Sequence, residues 1–431
     1  MRAWTVVRIV AWLHATRVTL APSATTGSRG AIVEGYASGN STGNETVTPP
    51  RHDGPMRILH TSDWHLGRSF GDHRLLEQQA LFIDWLVDLV RHEEIDLVAI
   101  AGDLYDRSVP PADAVELFHS SLSRLLAAGA DVAAIAGNHD SAERLGSIDG
   151  LLASGLLLRG GYKRAADVDI RTYADGPLAI VAVPYLDPVF APIDTSHDAS
   201  ERPSHETVLR RTLTTARDRI TPGVRSLAIA HAFVTGAEPS ESERTLAVGD
   251  AGMVSSTVFN GFDYTALGHL HRAQIVGGDE RVRYSGAPLA YSFGEKSQKE
   301  VVLIELDADG DARSKAIPID VGRSVATVRG TLDELLAADG NNHDWVRVEL
   351  TNTHPVADAH RRLRDHFPHL VEIARIGARP NNRERLTVQA VRERSVQELA
   401  GEFLTNVSSH DDASDLALLQ NALSRAENHQ S

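Results

Sequence analysis

The chain has 431 residues, 42% of them hydrophobic: ample for a large buried core, and long enough that roughly two to three domains are expected. Its 43 Lys and Arg against 58 Asp and Glu leave a net charge of −15, which excludes a generic polyanion binder coated in basic side chains. That charge still allows a nucleic-acid enzyme whose positive potential comes from ions or from a partner. Having no cysteine, the chain forms neither disulfides nor zinc–thiolate sites, and a reducing cytoplasm fits. Any metal must then be held by His, Asp or Asn, donors that suit Mn, Fe or Zn. No apolar run reaches the length of a membrane span.

Residues 1–55 differ from the rest. The opening Met1-Arg-Ala-Trp-Thr-Val-Val-Arg8 looks at first like a short export signal, but Arg8 interrupts its apolar core and Arg17 follows. Residues 22–54 are rich in Ser, Thr, Gly and Pro and are expected to be disordered. The expectation is a disordered extension from a start placed too early, with the working protein beginning at Met56; a genuine export signal is the alternative.

From Met56 onward, strands and helices alternate. The run Arg57-Ile-Leu-His-Thr-Ser-Asp63 predicts a strand, and residues 77–92 place Leu81, Phe82, Trp85, Leu86, Leu89 and Val90 on one helical face. A strand at Leu97–Ala101 follows, then a helix opened by Pro110-Pro111 and carrying Val115, Phe118, Leu122, Leu125 and Leu126. Further strands are predicted at Val132–Ala136, Leu178–Val183, Leu227–Ala230 and Tyr264–Leu267, with a helix near 206–219, and strands dominate from Arg281 to about Ile319. Strand, crossover helix, strand implies a layered sheet covered by helices.

A composition change near Gly322 starts a smaller α+β module. It has a helix after Thr327-Val-Arg-Gly-Thr-Leu, period-two alternation over Trp345–Leu350, a helix at 355–366 and a strand at Leu370–Ile376. Ser395-Val-Gln-Glu398 is a capping-box pattern opening an amphipathic helix, and a last helix carries Leu416, Leu419 and Leu423. These helices either pack on their own domain or dock on a partner. The expected divisions are 1–55, 56–321, 322–385 and 386–431.

Several apolar runs end in residues of metal-ligand type: Asp63-Trp-His65, Gly102-Asp103, Gly137-Asn138-His139-Asp140, His231 and Gly268-His269-Leu-His271. Each alone has a plainer explanation. Asp-x-His occurs by chance on surfaces, Gly-Asp after a strand is often turn chemistry, and a lone histidine after a strand is usually a core residue. The joint occurrence at five strand ends selects the chemical reading, because open α/β sheets place sites there. Hydrolysing a phosphate ester needs a hydroxide near neutral pH and neutralisation of growing negative charge, and two ions about 3.5–4 Å apart supply both. Asp103 would bridge two such ions. Asp63 and His65 could turn toward one, Asn138 would add a neutral oxygen to the other, and His139 would be free to act on the leaving oxygen. His231, His269 and His271 would complete the coordination. His60, His119, His360, His366 and His369 are expected to be structural or solvated.

Taken together these motifs resemble the calcineurin-like metallophosphoesterase superfamily, and within it the SbcD family of bacterial nuclease subunits. The longer strings that carry the second resemblance are Met56-Arg-Ile-Leu-His-Thr-Ser-Asp-Trp-His-Leu-Gly67, Ala230-His-Ala-Phe-Val-Thr-Gly236 with Ser240-Glu-Ser-Glu-Arg244, Asp263-Tyr-Thr-Ala-Leu-Gly-His-Leu-His271, and Arg283-Tyr-Ser-Gly-Ala-Pro-Leu-Ala-Tyr-Ser-Phe293. The resemblance implies an α/β (α+β) fold: a four-layer phosphoesterase β-sandwich flanked by helices, followed by a small capping domain and C-terminal helices. It implies one ion on Asp63, His65, Asp103 and His271 and a second on Asp103, Asn138, His231 and His269, with manganese as the metal and His139 as the catalytic histidine.

It further implies a cytoplasmic DNA nuclease, a phosphodiester hydrolase that cuts DNA ends and hairpins in repair, replication and recombination. An SbcC-like ATPase would be the partner, in a heterotetramer built on an SbcD dimer and joined through residues 395–425. Two departures stand out: residues 1–55 have no counterpart, and Gln78-Gln79 occupy a region where many relatives carry another active-site histidine. His73 lies nearby but out of register. The alternatives are a small-substrate phosphatase or cyclic-nucleotide phosphodiesterase, and a non-catalytic scaffold of an ATPase.

Overall fold

The computed structural model describes residue 52, residues 54–149, 152–192, 203–243, 252–341, 343–354 and 356–376, and residue 398. The expected extension, apart from His52 and residues 54–55, and the expected C-terminal helices, apart from Glu398, lie outside the described residues.

The chain first lays down β1 (Met56–Thr61), α1 (Leu76–His92), β2 (Leu97–Ile100), α2 (Ala112–Ala127), β3 (Asp131–Ile135), the short α3 (Ala142–Ser147) and β4 (Leu156–Arg159). These four strands pair in parallel in chain order. Next come β5 (Val168–Tyr173), β6 (Gly176–Val183), α4 (His205–Arg217), β7 (Arg225–His231), β8 (Tyr264–Gly268), β9 (Gln274–Val276) and β10 (Asp279–Tyr284). They form a second sheet in the order β9-β10-β8-β7-β6-β5. The strands β11 (Glu300–Leu306) and β12 (Ala312–Pro318) then return to the first sheet, where β11 pairs antiparallel with β1.

Side-chain alternation along the strands builds the layers. In the first sheet Leu59, Val98, Ile100, Val132 and Ala134 point toward α1 and α2, whereas Ile58, Leu97, Ala99, Ala133 and Ile135 point the other way. In the second sheet Val181, Val183, Ala228, Ala230 and Leu267 pack with α4, and Ile180, Ala182, Leu227, Ile229 and Ala266 face the first sheet. Both faces of the central strands are therefore buried, which is why they read as continuous apolar runs. The result is helix, sheet, sheet, helix, with an apolar core between the sheets, and this layered α+β arrangement is the one expected.

One detail of the expected helix faces is corrected. Leu81 does not join the buried stripe and is 47% exposed; the stripe of α1 runs through Gln79, Phe82, Ile83, Leu86, Val87 and Val90. Spacings of three and four place those six on one side and leave Leu81 on the flank.

After Gly322 a third sheet forms from β13 (Val325–Gly330), β14 (Trp345–Leu350) and β15 (Leu370–Arg375), all parallel, with α5 (Leu332–Ala337) and α6 (Ala359–His366) as crossovers. Thr331 and Glu334 form a reciprocal capping box on α5. The helix expected from 355 starts only at Ala359, because Asp358 takes a left-handed conformation (φ 55°). Period two splits β14: Val346, Val348 and Leu350 meet α5 and α6, whereas Trp345 packs with Phe70, Phe293 and Leu289 of the main body.

Candidate metal centre

Five parallel strands, from both sheets, deliver the candidate residues at their C-terminal ends. The end of β1 leads to Asp63 and His65, β2 to Asp103, and β3 to Asn138 and His139; β7 ends at His231, and β8 leads to His269 and His271. The backbone there is bent out of the usual regions. Among the described residues, six non-glycine residues have positive φ, and four of them are Asp63 (54°), His65 (45°), Asp103 (49°) and His269 (111°). A left-handed residue with a side chain costs about 1–2 kcal/mol, so the surroundings must hold these turns in place. Two glycines make the approach possible. A Cβ on Gly102 (φ +92°) would lie 2.3 Å from His231 Nδ1, and one on Gly137 would lie 2.1 Å from Asp103 Oδ1.

The structure brings all eight candidates together. Asp63, His65 and His271 form one cluster of potential ligand atoms, and Asp63, Asp103 and His231 another. The Nε2 atoms of His65 and His271 are 3.0 Å apart. Asn138 Oδ1 lies 2.9 Å from His231 Nε2 and 3.0 Å from His269 Nδ1. Asp103 stands between the groups, with Oδ2 at 3.5 Å from His65 Nε2 and 3.6 Å from His231 Nε2, while its Oδ1 accepts the His139 backbone N–H at 2.9 Å. Asp63 accepts the backbone N–H of His269 on both oxygens, at 3.0 and 3.2 Å. The rings of His139 and His65 meet edge to face at 4.6 Å.

The electrostatics are those of a site with surplus electron pairs. Burial first, and the neighbouring Asp103 second, push the Asp63 carboxyl well above its ordinary range. Burial acts the same way on Asp103, but the imidazoles of His231 and His139 and the His139 N–H bring it below the ordinary value. Desolvation lowers His65 and His231, and takes His269 down to about 3, so these rings are neutral near pH 7. His231 Nδ1 lies 2.9 Å from the Ala101 carbonyl, which can only accept, so Nδ1 carries the proton and Nε2 turns a lone pair toward Asn138 Oδ1. His65 Nδ1 is buried without a hydrogen-bond partner, 4.0 Å from Asp106 Oδ1. Two carboxyl groups, neutral imidazoles and an amide oxygen converging on one place, with the His231 Nε2 lone pair turned inward, fit divalent cations.

Several supporting residues had been given no role. Asp140, pushed up to about 7 by burial and then by Asp103, accepts the N–H groups of Gly137, Leu104 and Tyr105 and so ties the β2 and β3 exits together. The Asp106 carbonyl accepts from His139 Nδ1 at 2.8 Å. The Asp106 carboxylate joins His65 and His139 in a third possible ligand group but also faces Arg68 (3.7 Å) and Arg107 (3.6 Å). Gln79, in the region flagged as a departure, accepts from Gly67 N and donates to the carbonyls of Trp64 and His65. A buried glutamine on an otherwise apolar helix face was the signal that could have found it. Tyr291 Oη donates to the Trp64 carbonyl at 2.6 Å. His271 is held by Ser242, Glu243, Glu295 and Lys299.

The histidines set aside lie away from this cluster. His60 is buried beneath it, hydrogen-bonded to the Leu267 carbonyl and lowered to about 3 by desolvation. His73 reaches the Leu370 carbonyl and packs on Trp345. His119 is on α2, His360 and His366 are on α6, and His369 packs against Trp345.

Comparison with known proteins gives the family of the chain. Residues 56–273, just over half the chain, match the family described as calcineurin-like phosphoesterase, and residues 321–408 match the SbcD C-terminal family, described as type 5 capsule protein repressor C-terminal domain. Among solved structures, TT1561 of Thermus thermophilus is 13% identical, with 61% of this chain and 99% of that chain covered, at a TM-score of 0.34. A dimetal phosphatase from Danio rerio is 14% identical, with 61% and 99% covered, at 0.36. GAP50 of Plasmodium, titled the anchor in the inner membrane complex, is 11% identical, with 76% and 98% covered, at 0.34. At such scores nothing about the site rests on them. No helix among the described residues is long and apolar enough to cross a membrane. The family is one of metal-dependent hydrolases that use divalent ions, and the His/Asp cluster stands where its strand ends meet. By these matches the chain belongs to the calcineurin-like phosphoesterase family, as an SbcD-like member of it.

Proposed function

We propose that this protein is a cytoplasmic DNA nuclease subunit that hydrolyses phosphodiester bonds with two divalent ions, manganese in our reading. It works with an SbcC-like ATPase as an ATP-dependent double-strand exonuclease and single-strand endonuclease in repair, replication and recombination. The observation that carries the reading is the convergence of two carboxylates, five imidazoles and one amide oxygen at five strand ends, in a chain that also matches the SbcD C-terminal family at 321–408. In this reading Asp63, His65, Asp103 and His271 hold one ion, and Asp103, Asn138, His231 and His269 the other. When bound, the ions make water acidic enough to attack near neutral pH and offset charge on the phosphoryl oxygens.

The chain's own residues do the rest. Asp103, with a histidine on each side, sets the separation of the two ligand groups. His139 donates from Nδ1 to the Asp106 carbonyl, which orients the ring and leaves Nε2 to exchange a proton with the substrate oxygen. The net charge of −15 suits a subunit whose positive potential comes from ions and a partner. The same proposal divides the chain into a nuclease domain at 56–321, a capping domain at 322–385 and partner-binding helices at 386–431.

The test uses the full chain with Mn2+, with and without an SbcC-like ATPase and ATP, on blunt duplex DNA, hairpin DNA and a chromogenic phosphodiester. Duplex degradation only with both partner and ATP supports the reading. Hydrolysis of the small ester alone would move the assignment to a small-substrate phosphodiesterase. No turnover under any condition would leave the scaffold reading.

A further inference from the structure

The string Ser240-Glu-Ser-Glu-Arg244 has no part in the mechanism above, yet Ser240–Glu243 reaches into the metal centre from outside the two sheets. Glu243 Oε2 accepts the Ser240 N–H at 2.6 Å, and its Oε1 accepts the His271 backbone N–H at 2.7 Å. Ser242 Oγ lies 2.5 Å from His271 Nδ1 and 2.5 Å from Glu295 Oε1. Glu295, 5% exposed, pairs through its other oxygen with Lys299 Nζ at 2.5 Å, and Lys299 also donates to the His271 carbonyl at 3.2 Å.

Ser240 Oγ, 3.1 Å from Ser242 Oγ, can donate to it, and Ser292 Oγ donates to Glu295 Oε1 at 3.2 Å, so the remaining contacts share one consistent direction. Glu295 faces a lysine ammonium and accepts on both oxygens. The Ser242 hydroxyl has a single hydrogen, which it gives to Glu295, so toward His271 it offers only a lone pair. His271 Nδ1 must then be the donor, and its Nε2, 3.0 Å from His65 Nε2, carries the free electron pair.

We propose that Ser242, Glu295 and Lys299 form a directional relay that fixes the tautomer of His271 and turns its Nε2 into a metal ligand. This rests on the reading of His271 as a ligand, and it makes Ser242 and Glu295 positioning residues. Partners of this kind around a metal-binding histidine are typically worth about 10–100-fold in metal affinity.

Glu295→Gln separates the relay from simple support. The amide has the same shape, but its N–H2 can donate to Ser242, which lets the serine donate to His271 Nδ1 and moves the ring proton to Nε2. Three variants, Glu295→Gln, Ser242→Ala and Ser242→Thr, would be compared with wild type in the full chain. One measurement is the His271 tautomer in metal-free protein, from long-range 1H–15N spectra of 15N-histidine-labelled samples assigned with His271→Gln. The other is the Mn2+ binding isotherm.

The expected results are an Nδ1–H tautomer in wild type and Ser242→Thr, its loss in Glu295→Gln, and weakening of one Mn2+ equivalent by about 10–100-fold in Glu295→Gln and Ser242→Ala. An Nε2–H tautomer in wild type, or an unchanged tautomer in Glu295→Gln, overturns the relay. A wild type that has the Nδ1–H tautomer but binds no Mn2+ leaves the relay standing and defeats the metal reading instead.

Discussion

Replacing Gln79 by Ala tests whether the left-handed turns at Asp63 and His65 are held by α1. Its amide makes three hydrogen bonds to the turn: it accepts from Gly67 N at 3.0 Å and donates to the carbonyls of Trp64 at 3.1 Å and His65 at 2.7 Å. At about 1 kcal/mol net for each buried neutral bond, the loss is about 3 kcal/mol. Local opening of residues 64–67 would then become about 100-fold more frequent, since each 1.4 kcal/mol is a tenfold change. The assay is hydrogen–deuterium exchange of the Gly67 amide, whose acceptor is the Gln79 side chain, with an amide in the centre of β7 as reference. Gln79→Ala should speed Gly67 exchange about 100-fold and leave the β7 reference unchanged. Exchange at Gly67 within threefold of wild type would refute the idea that α1 braces the turn.

Three further outcomes follow from the same geometry. His139→Ala should lower turnover on DNA by about 10²–10⁴-fold, the usual worth of a positioned proton donor, while the protein still takes up metal as measured by equilibrium dialysis; retained nuclease activity would sink the role given to His139. Gly137→Ala should abolish the paired metal site without unfolding the sheets, because its Cβ would fall 2.1 Å from Asp103 Oδ1, and Mn2+ titration beside circular dichroism distinguishes the two effects. Away from the site, Asp175 accepts the Met56 N–H at 2.9 Å and pairs with Arg225; partial burial works against it, but these contacts hold its carboxyl below the ordinary value. A depressed folded-state pKa contributes stability that is present above the unfolded value of about 3.9 and lost as pH falls through the folded one. Asp175→Asn should therefore be less stable than wild type at pH 7, with the gap in urea midpoint closing below about pH 4. A gap independent of pH would contradict the ion pair.

Much of the architecture is legible without coordinates, for identifiable reasons. Strands such as Leu97–Ile100 are apolar at every position because both faces are covered, and they stop at glycine because the exit turn leaves no room for a Cβ. The candidate residues follow those glycines directly, so local sequence marks Asp103, Asn138 and His269 as strand-end residues. Alternation over Trp345–Leu350 likewise marks a strand with two different faces.

What lies in contact across the fold is another matter. Residues 79, 242 and 295 share no local pattern with His65 or His271, and they meet them only because α1, the 240–243 turn and the chain after β10 are folded against the same strand ends. A serine that comes to lie between a histidine and a glutamate is ordinary in one dimension. Sequence alone therefore determined the succession of strands and helices along the chain and the residue types that end five strands, while the four layers were expected only from the family resemblance. Only the tertiary structure decided which residues brace the turns, which nitrogen of each histidine faces inward, and that Asp103 stands between the two groups. Those are properties of distance and direction, set by how separate segments close on one another.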